Sequence, residues 1–328
     1  ILCILWFGGW QVQIGSVSQG QIVALVNYMN QILLALIALA NLIVAVTRAL
    51  ACAIRINEVF RVNSSMKEGA DEKNTQESGK PRVVFDHVTF TYGGAQEASL
   101  TDISFSAMPG ETVGIIGGTG SGKSTLVNLI PRFYDATKGS VTVDGQDVKA
   151  YTFRHLREKI GVVPQKAVLF LGTIRSNLQW RKKDAKESEL WKALQIAQAE
   201  EVVKKKQKGL DEKVEAGGRN FSGGQRQRLT IARALVGEPE ILILDDSASA
   251  LDFATDAALR RSIKESTGKA TVYLVSQRAA TVKNADQILV LDDGKLMGKG
   301  THEELLKNCN VYKEICMSQF SSQEVAQL

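Results

Sequence analysis

The stretch from Gly117 to Thr125 constrains the fold of this chain more than any other. It follows Thr112 to Ile116, an apolar run that predicts a buried strand, and precedes Leu126 to Ile130, which predicts the first turns of a helix. A glycine, four residues and then Gly-Lys-Ser in this context form the P-loop pattern. The glycines let backbone N–H groups converge on phosphate oxygens, and the helix N-terminus adds a partial positive charge. The stretch therefore predicts a nucleoside triphosphate site.

Side chains of the same loop suit the phosphates and their metal ion. Lys123 can neutralise the β- and γ-phosphates, and the Ser124 hydroxyl can ligate Mg²⁺. A second apolar strand, Ile241 to Leu244, ends at Asp245, whose carboxylate can hold the same ion through water. The nucleotide contacts predicted in the loop are Gly117, Gly118, Thr119, Gly120, Ser121, Gly122, Lys123, Ser124 and Thr125.

The first part of the chain is membrane-like in composition. Residues 1–47 contain no Asp, Glu, Lys, Arg or His, whereas the chain is charge-rich from about Arg61 onward. The run from Ile1 to Trp10 reads as the end of a transmembrane helix, and Gln11 to Gly20 reads as a short external loop. The segment from Gln21 to about Thr47 is apolar and long enough to span a bilayer.

The second helix carries Arg48, Arg55 and Arg61 at its end, so we expect that end to be cytoplasmic. Its pattern continues to Phe60, which at 1.5 Å per residue makes it roughly 60 Å long, about twice the thickness of the hydrocarbon core. We therefore expect it to project into the cytosol. Polar side chains interrupt its apolar run at Asn27, Asn30, Gln31 and Asn41. They could line a substrate path or form hydrogen bonds between helices, and the sequence leaves both open.

Composition and the P-loop divide the chain into a membrane segment (residues 1–61), a polar linker (62–80) and a nucleotide-binding domain (81–328). The short strands at the start of the third part suggest a small antiparallel sheet. They are Val83 to Phe85, Val88 to Tyr92 and Leu100 to Phe105. Later strands alternate with helices, which implies an open, mostly parallel sheet. These strands are Val141 to Val143, Ile160 to Val163, Ile241 to Leu244, Thr271 to Val275 and Gln287 to Leu291; residues 167–236 are helix-rich.

Charge and cysteine content exclude some functions. The formal net charge of +5 is not concentrated in a basic stripe, so it gives no support for nucleic-acid binding. The four cysteines, Cys3, Cys52, Cys309 and Cys316, lack the spacing of a metal site or a disulfide framework. We expect them to be buried or free thiols in a reducing compartment.

A second glycine-rich segment lies between the P-loop and Asp245. It runs from Phe221 to Arg228, and Ser222 suits the N-cap of a helix that continues to Leu235. A glycine-flanked helix N-terminus is a second anion site. One domain has little use for two such sites on one phosphate group, whereas two domains that face each other head to tail could each offer this site to the other's ATP.

These residues resemble the ATP-binding cassette (ABC) family. Ser222, Gly223, Gly224 and Gln225 are similar to the family's signature, and Gln165 stands at its Q-loop position. The segment from Ser249 to Asp252 stands at the D-loop position, and Tyr92 matches the aromatic residue that stacks on adenine in this family. The resemblance covers Arg82 to about Phe320.

The resemblance implies an α/β P-loop NTPase cassette, with an antiparallel β subdomain and a helical subdomain, preceded by all-α transmembrane helices. It also implies an ATP-driven exporter in the plasma or inner membrane, with several membrane passes and the nucleotide-binding domain in the cytoplasm. Two cassettes would close around two ATP molecules with Mg²⁺, each held between one P-loop and the other chain's signature. Residues 1–328 would then be about the C-terminal half of a subunit, and Ser124, Gln165 and Asp245 the Mg²⁺ ligands.

Two positions depart from the family pattern. The family usually has Glu after the Walker B aspartate, and here Asp246 places its carboxylate one methylene, roughly 1.5 Å, further back. The family usually has His where Gln277 stands, and Gln cannot carry a positive charge. The departures indicate a slowly hydrolysing site on one subunit of a bacterial heterodimeric, multidrug-type exporter. In that interpretation the intact signature completes an active site on a different partner chain.

Other functions are compatible with parts of this pattern. A homodimeric exporter with two equivalent sites is the alternative within the same class. A regulatory or translation-linked ABC ATPase usually has two cassettes and no membrane part, so residues 1–47 argue against it. A P-loop kinase would lack the signature, and an importer cassette is typically a separate chain. The transported substrate cannot be read from these residues.

Overall fold

The chain forms two compact units, Ile1–Ser65 and Met66–Leu328. A computed structural model describes residues 1–62, 64, 66–70, 79–247, 251–266, 268 and 270–319. The predicted helix end at Phe320 and the first half of the predicted D-loop, Ser249 and Ala250, lie outside the described residues.

The first unit consists of two helices, α1 (Leu2–Gln13) and α2 (Gln19–Phe60). The predicted loop from residue 11 to residue 20 is wrong in extent, because α2 begins at Gln19 rather than Gln21. Ser18 explains the early start: its hydroxyl accepts from the Gln21 N–H (3.4 Å), and the Gln21 side chain accepts from the Ser18 N–H (2.9 Å). This reciprocal pair is a capping box.

Helix α2 is suited to an apolar environment. Among the described residues it is the one helix that is long and apolar enough to cross a membrane. None of its residues is buried within the chain, and most of its leucine, isoleucine and valine side chains are exposed. At 42 residues it is roughly 63 Å long, which agrees with the predicted helix that exceeds the hydrocarbon core.

The second unit begins with an antiparallel sheet in the order β2-β1-β4-β5, which confirms the predicted antiparallel subdomain. Its strands are β1 (Val83–Phe90), β2 (Leu100–Ala107), β4 (Lys138–Val143) and β5 (Gln146–Asp147). The placement of Val141 to Val143 among the strands of the parallel sheet is therefore wrong, because β4 pairs antiparallel with β1. The two strands predicted from Val83 to Tyr92 are one strand. The register shifts between Phe85 and Val88, where His87 has a positive φ of 47°. This β-bulge breaks the alternation that the sequence pattern depends on.

The second sheet has the order β12-β11-β3-β10-β9-β6 and is parallel except for β12, which confirms the predicted mostly parallel sheet. Its strands are β3 (Thr112–Ile116), β6 (Ile160–Val163), β9 (Ile241–Asp245), β10 (Thr271–Ser276), β11 (Gln287–Asp292) and β12 (Lys295–Gly300). The sequence pattern missed β12, because this edge strand alternates exposed and half-buried residues and has no apolar run.

Helices cover the parallel sheet and fill the segment between β6 and β9. They are α3 (Lys123–Leu129), α4 (Phe153–Lys159), α5 (Ile174–Leu178), α6 (Glu187–Ile196), α7 (Glu200–Lys204), α8 (Gly223–Leu235), α9 (Phe253–Ser266), α10 (Ala279–Val282), α11 (His302–Asn308) and α12 (Asn310–Gln319). A short pair, β7 (Gly172–Thr173) and β8 (Lys213–Val214), lies within the helical segment. The predicted helix-rich region is confirmed.

The cysteines are free thiols, as predicted. Cys309 and Cys316 are buried beside the last helices, and Cys3 and Cys52 lie exposed on α1 and α2. Within the described part of the chain, no group of His, Cys, Asp and Glu side chains has the arrangement of a protein-only metal site.

Residues 66–70 lie inside the segment predicted as a linker. In the structure they are hydrogen-bonded to the rest of the second unit. The Lys67 carbonyl accepts from Arg132 Nη2 (2.8 Å), and the Glu68 carboxylate accepts from the Phe153 N–H (3.0 Å). The Gly69 N–H donates to the Tyr151 carbonyl (3.1 Å). We call residues 66–70 the docked segment.

Gly69 allows the docked segment to lie directly against the backbone of Ala150. A Cβ at this position would lie 2.2 Å from the Ala150 carbonyl oxygen, a distance that real Cβ atoms do not show. We expect Gly69→Val to release the docked segment, because its valine side chain cannot be accommodated. Trypsin should then cut after Lys67 about tenfold faster, which corresponds to a loss of about 1.4 kcal/mol in docking. Gly93→Val is the control, because a Cβ there meets nothing within 4 Å. Equal cleavage rates would contradict the expectation.

Candidate nucleotide-binding site

The P-loop connects the end of β3 to the start of α3, as predicted. Gly120 and Gly122 have φ of 83° and 93°, in the left-handed region that glycine adopts without strain. Gly117 is required for another reason: a Cβ there would lie 2.1 Å from the Leu291 carbonyl oxygen at the end of β11. The loop is therefore packed directly against the neighbouring strand, and its backbone is held in place by the sheet.

Lys123 points back into this loop. Its Nζ donates to the Gly117 carbonyl (3.0 Å), to the Gly118 carbonyl and to Ser121 Oγ (3.3 Å). Burial lowers the pKa of the Lys123 ammonium, and the negative charges of Asp246 and Asp245 oppose that shift. The loop thus encloses one buried cation within reach of two carboxylates, which is the arrangement expected for neutralising phosphates.

Asp245 and Ser124 lie next to each other at the same edge of the sheet. In the parallel register Asp245 is level with Val275 and Ile116 is level with Ser276, so β9, β10 and β3 end together. The Ser124 hydroxyl donates to Asp245 Oδ1 (3.1 Å). Burial raises the pKa of the Asp245 carboxyl, and the Ser124 hydrogen bond acts in the opposite direction.

Asp246 follows in an unusual backbone conformation. Its φ is 45°, in the left-handed region, where Asp is tolerated better than most residues. Its N–H donates to the Val275 carbonyl (2.9 Å), and its Oδ2 accepts from Gln165 Nε2 (3.3 Å). The structure therefore brings Gln165 and Asp246 together beside the Ser124–Asp245 pair. Gln277 follows β10 at the same edge, with an exposed side chain.

A cavity of about 440 Å³ lies beside the loop, and Tyr92 is one of its walls. The Tyr92 hydroxyl is 3.1 Å from Thr125 Oγ1, and its ring meets the Tyr134 ring edge-on at a centroid distance of 5.2 Å. The cavity is lined by Tyr92, Glu97, Ala98, Ser99, Gly120, Gly122, Lys123, Ser124, Thr125, Asp293 and Gly294. Tyr92 is placed where a nucleotide base could contact it.

Sequence reasoning missed the walls at Glu97–Ser99 and Asp293–Gly294. A usable signal existed for the second, because Asp-Gly between two strands predicts a tight hairpin turn. Gly294 has φ of 69°, and a Cβ there would lie 2.7 Å from the Ser99 carbonyl oxygen. The turn between β11 and β12 is therefore pressed against the loop before β2. No local pattern marks that contact.

The predicted signature opens α8 as expected. Ser222 is the N-cap: its Oγ accepts from the Gln225 N–H (3.3 Å), and the Gln225 side chain accepts from the Ser222 N–H (3.0 Å). Ser222 and Gly223 are exposed, and a Cβ at Gly223 would meet nothing within 4 Å. None of the residues that line the cavity belongs to the signature. This chain's signature and its P-loop cavity are thus separate surfaces.

Asp252, at the predicted D-loop position, has a local structural role. Its carboxylate accepts from the Thr255 N–H (2.9 Å) and from the Thr255 hydroxyl (2.7 Å) at the start of α9. These bonds lower the pKa of the Asp252 carboxyl. The side chain caps the helix, and a nucleotide role for this position stays a prediction.

The residues at this edge fit ATP and Mg²⁺. Ser124 Oγ and Asp245 Oδ1 are hard oxygen donors 3.1 Å apart, the ligand type that Mg²⁺ prefers. Lys123 provides a buried positive charge, and the loop faces open space at Gly118 and Gly120, where a Cβ would meet nothing within 4 Å. The cavity beside Tyr92 has room for a base. Which residues contact a bound nucleotide remains a prediction.

Comparison with known proteins identifies the unit that contains this site. Residues 100–249 match the family profile of the ABC transporter, from β2 through the P-loop and signature to just beyond Asp246. The second unit has the fold of an ABC cassette. This cassette has the P-loop NTPase fold, with a mixed sheet and a helical segment, and it is preceded by a helix consistent with a transmembrane part.

The chain spans about half the length of the curated relatives it matches. An uncharacterized ABC transporter ATP-binding protein of Mycobacterium tuberculosis is 42% identical over 327 residues, which cover 99% of this chain and 56% of the relative. The beta-(1→2)glucan export ATP-binding/permease protein of Rhodopseudomonas palustris is 37% identical over 328 residues, 99% of this chain and 54% of the relative. A probable multidrug resistance ABC transporter ATP-binding/permease protein of Bacillus subtilis is 37% identical over 310 residues, 94% and 53% respectively.

A solved structure agrees with these relatives. The structure of a bacterial Atm1-family ABC exporter with ATP bound is similar with a TM-score of 0.78 and 30% identity, and it covers 98% of this chain and 56% of that chain. Over nearly its whole length the chain is therefore similar to the ATP-binding parts of ABC exporters.

Proposed function

We propose that this chain is the ATP-binding end of a membrane exporter subunit, in which the cassette drives the movement of transmembrane helices. One observation carries the proposal: an ABC ATP-binding cassette and a long apolar helix lie on one polypeptide. The relatives named ATP-binding/permease proteins support it. We place the protein in the cell membrane as a multi-pass protein, with the cassette in the cytoplasm.

The cassette's own site would hold ATP and hydrolyse it slowly. Lys123, Ser124 and Asp245 supply the binding groups, whereas the water-activating position is Asp246, whose carboxylate accepts from Gln165. The shorter Asp side chain holds its carboxylate further from an attacking water than Glu would. A misplacement of about 1 Å costs on the order of a hundredfold in rate. Gln277 can donate to the γ-phosphate but cannot neutralise it.

Ser124 and Asp245 would hold Mg²⁺, which would supply positive charge to neutralise the negative charge of the phosphates. Gln165 is proposed to hold Asp246 beside that pair and to join the ion's ligands when the site closes. Lys123 contributes the fixed positive charge. Tyr92 is proposed to stack on the adenine, which would orient the phosphates towards the P-loop.

The signature would serve a partner chain. Ser222 and Gly223 are exposed at the N-terminus of α8, away from this chain's own cavity, so they are free to meet another cassette's nucleotide. We propose a heterodimer with a second half-transporter that carries Glu and His at the two altered positions. A homodimer with two equal sites is the competing arrangement. The substrate is left unassigned, because relatives of similar identity are named for a glucan and for drugs.

The test compares two variants of this chain in the full-length complex with the second half-transporter. In Gly223→Glu the new carboxylate would repel the partner's ATP. The variant should still fold, because the position is exposed and open and Glu suits the first turn of a helix. In Asp246→Asn only this chain's own acid is lost. We expect Gly223→Glu to abolish most of the ATPase activity of the complex and Asp246→Asn to preserve most of it.

Other outcomes separate the alternatives. Equal losses in the two variants would show two equivalent sites and favour the homodimer. If the full-length chain purified alone forms a stable dimer with ordinary turnover, the heterodimer proposal is wrong. Failure of the wild-type protein to bind ATP would reject the exporter proposal altogether.

A further inference from the structure

The last described residue, Gln319, contacts the turn that carries Gln277. Its Oε1 accepts from the Ala279 N–H (2.8 Å), and its Nε2 donates to the Gln277 carbonyl (2.8 Å). One amide group therefore binds both sides of the three-residue turn that follows β10. The partners are about forty positions apart in the chain, so this is a tertiary contact rather than a local cap.

The turn needs an external partner at Ala279. This residue is fully buried and begins α10, whose N-cap residue, Arg278, makes no side-chain cap bond. A buried N–H without a partner destabilises the folded state. Gln319 supplies the missing acceptor from another helix. On the other side of the turn, Ser276 Oγ accepts from the Arg278 N–H (3.0 Å), so two side chains hold the backbone of the turn.

Packing places Gln319 at this turn. Tyr312 and Cys316 on α12 are fully buried, and the Tyr312 hydroxyl lies 2.8 Å from His302 Nδ1 on α11. Cys316 precedes Gln319 by three positions, so both lie on about the same face of the helix. Buried residues therefore hold α12 in place, and with it the Gln319 side-chain amide, although Gln319 itself is largely exposed.

We infer that Gln319 is a positioning residue for Gln277. The inference rests on the proposed function, in which the Gln277 side chain donates to the γ-phosphate. Gln319 forms a hydrogen bond with the backbone carbonyl of Gln277 itself. Loss of this bond lets the Gln277 Cα shift, and the Gln277 side chain shifts with it. A hydrogen bond to the γ-phosphate distinguishes ATP from ADP. Gln319 therefore contributes to the preference for ATP without touching the nucleotide.

The test measures dissociation constants for Mg-ATP and Mg-ADP in the full-length protein by competition with a fluorescent nucleotide. We expect Gln319→Ala and Gln277→Ala each to lower the preference for ATP over ADP by about threefold to tenfold, the effect of one hydrogen bond. Affinity for ADP should be unchanged. The double variant should lose no more than Gln277→Ala alone, because the two residues act through one contact.

Two further variants separate positioning from simple stabilisation. Gln319→Glu keeps the acceptor for the Ala279 N–H but cannot donate to the Gln277 carbonyl, so it should lose ATP preference and retain the thermal unfolding midpoint. Ser318→Ala, the neighbouring exposed position, should change neither quantity; its hydroxyl donates to the Ile315 carbonyl within the helix.

The inference is overturned if Gln319→Ala leaves the ATP preference intact. It is also overturned if ATP and ADP affinity fall equally together with the unfolding midpoint, or if the double variant shows additive losses. If the wild-type protein binds no ATP, the proposed function fails first and this inference fails with it. Binding by the wild-type protein with no effect of Gln319→Ala rejects this inference alone.

Discussion

Lys123→Ala is expected to weaken Mg-ATP binding at this chain's site by about a hundredfold, because the phosphates lose a charged donor worth about 3 kcal/mol. Lys123 is the buried cation of the P-loop, and its Nζ lies within hydrogen-bond distance of loop carbonyls and Ser121. Retention of radiolabelled ATP by the complex measures the effect. Some hydrolysis should persist, because the partner site would still be intact.

Lys299→Ala is a matched control for this variant. Lys299 is exposed on β12, so the same side-chain truncation removes the same charge away from the cavity. It should leave ATP retention unchanged. A total loss of hydrolysis in Lys123→Ala, equal to the loss from the corresponding lysine change in the partner, would instead indicate two equivalent sites.

The double change Asp246→Glu with Gln277→His is expected to raise turnover at this site by about tenfold to a hundredfold in the assembled complex. The longer side chain moves its carboxylate about 1.5 Å towards the nucleotide, and histidine adds a group that can become positively charged. Single-turnover hydrolysis in a complex with an inactivated partner site would isolate this chain's contribution.

Each single change provides a comparison for the pair. Asp246→Glu alone should raise the rate less than the double change and should cost some stability, since Asp246 has φ of 45° and Glu tolerates that region less well than Asp. Gln277→His alone should have a small effect while Asp246 remains. An unchanged ATPase rate in the double variant would show that these two positions do not limit hydrolysis.

Local patterns predicted the parts of the cassette that local forces determine. The strand Ile241–Asp245 is a continuous apolar run, and Ser222 with Gln225 forms the capping box that begins α8. The P-loop is a local motif between a strand and a helix. The pairing of Ser124 with Asp245 could also be anticipated, because parallel strands end at one edge of the sheet.

The sequence could not predict features that depend on contacts distant in the chain. Apolar residues lie on both sides of the bulge at His87, so the sequence pattern predicts two strands where the structure has one. The edge strand β12 buries too little to show an apolar run. Gln319 looks like an ordinary polar residue on the last helix until the fold places it beside the turn of Gln277. Position in space, rather than residue type, gives these residues their roles.

The docked segment is part of the second unit although it lies within the segment predicted as a linker. Its backbone and the Glu68 side chain are held by hydrogen bonds from Arg132, to Tyr151 and from Phe153. A fragment that begins at Met66 therefore keeps these hydrogen bonds, whereas a fragment that begins at residue 81 loses them.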